Sequence, residues 1–318
     1  MKNATLFTGY QSDFLNAERT VGLPILNADQ KADLAPVEGN GNGIVNYINY
    51  SLMLSSSHKF PFFTATNIDG IDFKKVPRKD NWRIDSRVKN YQWGKELYGA
   101  ARSDFDRGHM TKREDVQWGD NEAIASAAAD STFFYSNAVP QHKDLNQVVW
   151  RSLEDYILHA ETKEKQLRVC VFTGPVLSER NPYFVTKINS DSVRIPILFW
   201  KVVVFENRDG NLCRVGFVMG QESLLIENQI IDQSTFELES ISAEDELFMD
   251  FKDSETYQVN ISLIEQLSGL TMPKATDVYT DDRNIKLVLK EVDISNDNLE
   301  SDSLEYQIGY SIDNIVLY

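Results

Sequence analysis

Apolar positions along the chain follow two rhythms. Continuous β-rich runs bounded by turn residues predict strands: "WKVVVFENRDGNLCRVGFVM" (200–219) reads as a hairpin around an Asp-Gly turn. The run "IVNYINYSLMLSSSHKFPFFTATNI" (44–68) reads as two strands joined by a polar loop at 55–59, with Asp69-Gly70 marking the next turn. A helical rhythm appears in "LNQVVWRSLEDYILHAE", where Leu145, Val149, Leu153, Tyr156 and Ile157 form one apolar face. "NEAIASAAAD" (121–130) predicts a short alanine-rich helix, and "NISLIEQLSGL" (260–270) a helix stopped at Gly269. "STFFYSNAVPQ" (131–141) reads as a strand running into a polar turn. Strands with interspersed but not alternating helices argue for an α+β fold with a largely antiparallel central sheet flanked by helices.

Composition changes this picture little. With 318 residues, 42% hydrophobic and 25% charged, the chain can bury a core, and its net charge of −16 belongs to solvated faces. The N-terminus has no continuous apolar h-region and no window approaches ~18 apolar residues. No signal peptide, no membrane span and a cytoplasmic location are therefore expected. Cys170 and Cys213 sit in separate apolar runs and read as buried free thiols. Without a CxxC pair or a Cys/His cluster, zinc is disfavoured. "GNGNG" (39–43) lacks the GxGxxG order and reads as a surface loop.

Charge distribution adds the first functional clue. Residues 74–113 hold twelve Lys/Arg against five Asp/Glu, whereas 236–256 hold eight acids against one lysine. A basic segment inside an acidic protein suits an anionic ligand, nucleic acid being the common one. Within it, "DFDRGHM" (104–110) sets a proton acceptor beside a fixed-charge fork for phosphate oxygens.

Four ordered segments then carry a resemblance: "DRGH" (106–109), "TFFYSNAVPQ" (132–141), "LNQVVWRSLE" (145–154) and "FTGPV" (172–176). Weaker echoes are "GYQSDFL" (9–15), "FFTATNIDG" (62–70), "PRKDNWRIDSR" (77–87) and "YQVNISLIEQLSGL" (257–270). Across residues 9–275 the chain resembles the DNA/RNA non-specific endonucleases, the ββα-metal nucleases. The resemblance implies that fold, a nucleic-acid substrate and metal-dependent phosphodiester hydrolysis. That chemistry needs a base for water, positive charge for the transition state and stabilisation of the leaving oxygen.

His109 is the candidate base; a reference pKa of about 6.5 leaves it mostly neutral above pH 7, with kcat/KM expected to rise through about pH 6–7. Asn146 is the candidate ligand for Mg²⁺, with Mn²⁺ able to substitute, because hard cations take oxygen donors. Glu154 lies eight residues further on, about 12 Å along an ideal helix; it is expected to act through metal-bound water, as the resemblance also implies. Arg107 and an upstream arginine are the transition-state candidates. Of Arg78, Arg83 and Arg87, Arg78 is chosen because Trp82 and Asp85 then follow at family-like intervals. Asn137 and Gln141 are expected to line the substrate pocket and orient its neighbours, and Asp106 and Gly108 to shape the turn. His58, His142 and His159 lack such company and read as structural. Two other classes stay open: an inactive nucleic-acid-binding module on the same scaffold, and a phosphodiesterase for smaller substrates.

The domain is expected to span 1–280. Residues 281–318, with nine acids and three bases, form an acidic extension holding a short hairpin from "IKLVLKEVDI" and "YQIGYSIDNIVLY". A chain ending near Thr280 is expected to stay folded and active. Control by an inhibitor or another partner suits a nuclease beside its host's nucleic acid, and a homodimer is left open.

Overall fold

The computed structural model describes residues 7–143, 157, 167–231, 251, 254–293 and 308–317. Its strands are β1 (Val45–Asn46), β2 (Tyr50–Leu54), β3 (Pro61–Asp69), β4 (Phe105–His109), β5 (Ala138–His142), β6 (Arg168–Pro175) and β7 (Leu198–Glu206). Then come β8 (Leu212–Gly220), β9 (Thr256–Val259), β10 (Thr276–Asp277), β11 (Ile285–Lys286), β12 (Leu289–Asp293) and β13 (Ile308–Ile312). Among the described residues the central sheet runs β1-β2-β3-β6-β7-β8-β9-β11 with antiparallel neighbours, and β10 joins β8 in parallel. The fold is α+β, as the pattern of runs predicts.

Both predicted hairpins form. β7 and β8 pair along their full length, and Gly210 supplies the left-handed residue (φ 75°) that closes the connection. β2 and β3 flank a loop at 55–60, and the Asp69 carboxylate accepts from the backbone N–H groups of Ile71 and Asp72 to make the next turn. All nine residues of β3 are buried because both sheet faces are covered. On one face, Gly216 leaves room for Ile261 and Ile264 of the helix Ile261–Ser268. On the other, the Thr66 and Thr111 hydroxyls meet at 2.7 Å, tying the chain after β4 to the sheet.

The helix Glu122–Ser131 is capped by Asn121 and buries Ala125, Ala128 and Ala129, whose small side chains allow close approach. The following stretch differs from expectation. Its strand begins only at Ala138, because Tyr135–Asn137 forms a 3₁₀ turn held by side-chain amide bonds from Asn137. The helix expected over 145–161 lies, apart from Ile157, outside the described residues.

The C-terminal segment is stitched to the body. β11 pairs with β9, Leu287 is buried and donates its N–H to the Thr256 carbonyl, and Gln258 exchanges two hydrogen bonds with the backbone of Val316. The β12–β13 hairpin forms. A boundary at 280 therefore cuts through hydrogen bonds of the central sheet, which the acidic composition of 281–318 does not reveal.

Candidate active site

β4 and β5 form a two-stranded sheet of their own, with Asp106 opposite Gln141, Gly108 opposite Val139 and His109 opposite Ala138. Strand alternation puts Arg107 and His109 on one face and Asp106 and Gly108 on the other. Gln141, paired with Asp106, shares the face away from His109. It is fully buried, and both atoms of its amide lack a hydrogen-bond partner. Gly108 is required there: a Cβ would stand 2.1 Å from Gln141 Oε1 and 2.5 Å from its Cγ. Buried Gln221 anchors the hairpin, accepting from His142 N (2.8 Å) and donating to the carbonyls of Pro140 (3.1 Å) and Pro196 (2.6 Å).

The chain leaving His109 is clamped by Asn137. Its Oδ1 accepts from Thr111 N (2.9 Å), while its Nδ2 donates to the carbonyls of Thr111 (2.9 Å) and Thr132 (3.1 Å). Asn137 is 0% exposed, so it lines no open pocket wall; its amide is committed to backbone and fixes the exit of β4. That corrects half of the sequence expectation, in which it both lined the pocket and oriented its neighbours.

His109 packs against Trp82 (ring centroids 4.7 Å apart) and edge-on against Phe133 (5.1 Å). Its Nε2 is buried and has no hydrogen-bond partner. Burial, then the positive charge of Arg78, lower its pKa to about 3, against the opposing pull of Glu114 and Asp80. The imidazole is therefore neutral at any ordinary pH, well below the reference value used for the sequence expectation. Nearby Glu114 is held down to about 2: burial alone would raise it, but Lys112 and then Arg113, which grips it at 2.7 Å, prevail.

Arg107 is exposed, its guanidinium 5.3 Å from the Trp82 ring centre. Arg78 pairs with Asp80 at 2.7 Å near the surface, and its charge reaches His109. The other two arginines of that loop are occupied elsewhere. Arg83 pairs with Asp130 and stacks on Phe134, while Arg87 forks onto buried Asp85 and the Asn46 carbonyl. His109, Arg107 and Arg78 are thus brought together; Asn146 and Glu154 lie outside the described residues. Among the described residues no group of three or more His, Cys, Asp or Glu could hold a metal ion.

The family description "DNA/RNA non-specific endonuclease" matches residues 31–278, which include this whole hairpin and most of the central sheet. The chain belongs to that family. Among its relatives, an uncharacterized protein, y4fB, of Sinorhizobium fredii is 32% identical over 231 residues, covering 69% of this chain and 33% of y4fB. Mitochondrial endonuclease G of Homo sapiens is 32% identical over 150 residues, covering 45% of this chain and 47% of its own. A nuclease of Nostoc is 25% identical over 223 residues, 69% of each. The match thus spans a third to a half of the first two relatives' length. In fold, the chain resembles EndoG as solved in its complex with EndoGI, with a TM-score of 0.51 at 22% identity over 73% of this chain and 86% of that one.

Two contributors to the candidate site escaped sequence reasoning. Gln221 lies 79 residues from His142, and no local pattern announces that pairing. Trp82 served only as a spacing marker, although alternation within "DRGH" already puts Arg107 and His109 on one face, where a single ring can touch both. His58 and Cys170 fit their bland readings: His58 Nδ1 lies 3.1 Å from the hydroxyls of Ser55 and Ser57, and both cysteines are free and buried. Among the described residues no helix is long and apolar enough to cross a membrane.

Proposed function

We propose that this protein is a metal-dependent endonuclease hydrolysing phosphodiester bonds of DNA or RNA without sequence specificity, with His109 as general base. The observation that carries the proposal is the buried, unpartnered Nε2 of a neutral His109 beside Arg107 and Arg78. A buried acceptor without a partner is costly unless a donor arrives, and the attacking water is such a donor.

A scissile phosphate would sit between that water and the arginines. Arg107 offers an exposed planar fork to non-bridging oxygens, and Arg78 adds charge once the phosphate competes with Asp80. Phosphate arrival also answers an objection to so weak a base. Arg78 is the leading charge that lowers the pKa of His109, so a phosphate that neutralises it raises the proton affinity of Nε2 when the water must be deprotonated. Asn137 holds the strand end that presents the ring, and Gly108 lets the hairpin close on Gln141. Asn146, with Glu154 acting through water, would hold Mg²⁺ or Mn²⁺, whose charge would stabilise the leaving oxygen. Phosphate contacts carry little sequence information, which suits a non-specific nuclease.

The test is cleavage of supercoiled plasmid, structured RNA and a small phosphodiester, each with Mg²⁺ and with excess EDTA. Plasmid or RNA cleavage that EDTA abolishes is expected. Binding without cleavage would indicate an inactive module, and cleavage of the small diester alone a different substrate class. Full activity in excess chelator would remove the metal from the proposal.

A further inference from the structure

A general base works best when a third group fixes its orientation, and for histidine that group is commonly a hydrogen-bonded carboxylate. Here Nε2 makes no hydrogen bond, and Glu114 and Asp80 act on the imidazole only through their charge. Aromatic rings surround the imidazole instead. Trp82 lies 4.7 Å from the imidazole, 5.4 Å from Phe133 and 5.5 Å from Tyr135, while Arg107 stands 5.3 Å from its ring centre on the same face of β4.

The indole is itself rigidly held. Arg83 N donates to the Phe133 carbonyl (3.0 Å) and Tyr135 N to the Arg83 carbonyl (3.0 Å), so the loop runs as a short parallel bridge beside 133–135. This places the ring of the preceding residue between Phe133 and Tyr135. Tyr135 is braced in turn by Tyr98, stacked at 5.8 Å. Phe133 also touches His109, but of these rings only Trp82 contacts both His109 and Arg107.

We propose that Trp82 is the positioning residue of this site, fixing the ring plane of His109 and the guanidinium of Arg107 with one indole. The proposal rests on the catalytic reading above. An indole suits both tasks: it packs against a neutral imidazole without donating to Nε2, and its π-face attracts a guanidinium. The tilted ring contact (interplanar angle 49°) occupies neither imidazole nitrogen, so Nε2 stays unbonded while the ring plane is fixed.

The experiment compares Trp82→Leu and Trp82→Phe with the unaltered protein in full-length form, measuring kcat and KM on a defined oligonucleotide, thermal unfolding, and the imidazole NMR correlations of His109, assigned with His109→Gln. In Trp82→Leu, kcat should fall about 10- to 100-fold, the cost of a misplaced catalytic group, with KM changed by less than about 3-fold. The His109 correlations should shift, and Trp82→Phe, which keeps a ring there, should recover kcat to within about 5-fold of wild type. Unmoved His109 signals, a loss confined to KM, or a loss that follows the unfolded fraction would each overturn the proposal. If the unaltered protein cleaves nothing, the catalytic reading fails instead, and the His109 correlations still decide whether Trp82 holds the ring.

Discussion

As the proposed general base, His109 would have to join two properties that conflict in solution: neutral to accept a proton, yet basic enough to keep it. Burial and Arg78 secure the first; in the proposed reaction the charge of the substrate would supply the second. The sign is testable. A lowered pKa in the free protein puts the acid limb of log(kcat/KM) well below pH 6.5, so that profile should stay flat from pH 8 to about 5.5. The limb of log kcat, which reports the substrate complex, should lie at higher pH. Coincident limbs near 6.5 in both profiles would mean that neither burial nor Arg78 tunes the base. His109→Ala should lower kcat by about 10² to 10⁴ with circular dichroism unchanged, and residual activity above about a tenth of wild type would move the base elsewhere.

Among elements, the loop 77–88 and the β4–β5 hairpin set the geometry. One loop supplies three arginines with three different tasks, which separates Arg78 from Arg87 experimentally. Arg87→Ala leaves the carboxylate of Asp85 buried without its fork and should cost about 2–4 kcal/mol in denaturant unfolding. Arg78→Ala should leave stability nearly unchanged, because its pair with Asp80 is about half exposed. Removing that cation should raise the proton affinity of His109, moving the acid limb of log(kcat/KM) to higher pH. Within the hairpin, Gly108→Ala should destabilise because the new methyl collides with Gln141, and should be tolerated far better in a Gln141→Ala background. Additive effects in that double-mutant cycle would show that the two residues do not compete for one space.

At the scale of the whole molecule, the acidic C-terminal segment belongs to the sheet through β11, Leu287 and the Gln258–Val316 pair. A chain ended at Thr280 should therefore unfold at lower temperature and lose activity, the reverse of what composition suggests. Leu287→Ala, which keeps the chain whole, should cost about 2–5 kcal/mol. Equal unfolding midpoints for truncated and full chains would restore the segment to the status of a tail.

The sequence by itself determined the elements whose signal is local. The 198–220 hairpin, the Gly269-stopped helix and the α+β class follow from apolar periodicity and turn residues, which act over a few positions. It also determined the family, because four ordered segments around "DRGH" constrain one another. Tertiary structure decided what depends on long-range pairing. It decided which of three nearby arginines reaches His109, that Asn137 spends its amide on backbone 26 residues away, and that Trp82 faces both Arg107 and His109. It also lowered the proton affinity of His109, since burial and neighbouring charge are created only when distant segments pack together, and residue identity alone encodes neither.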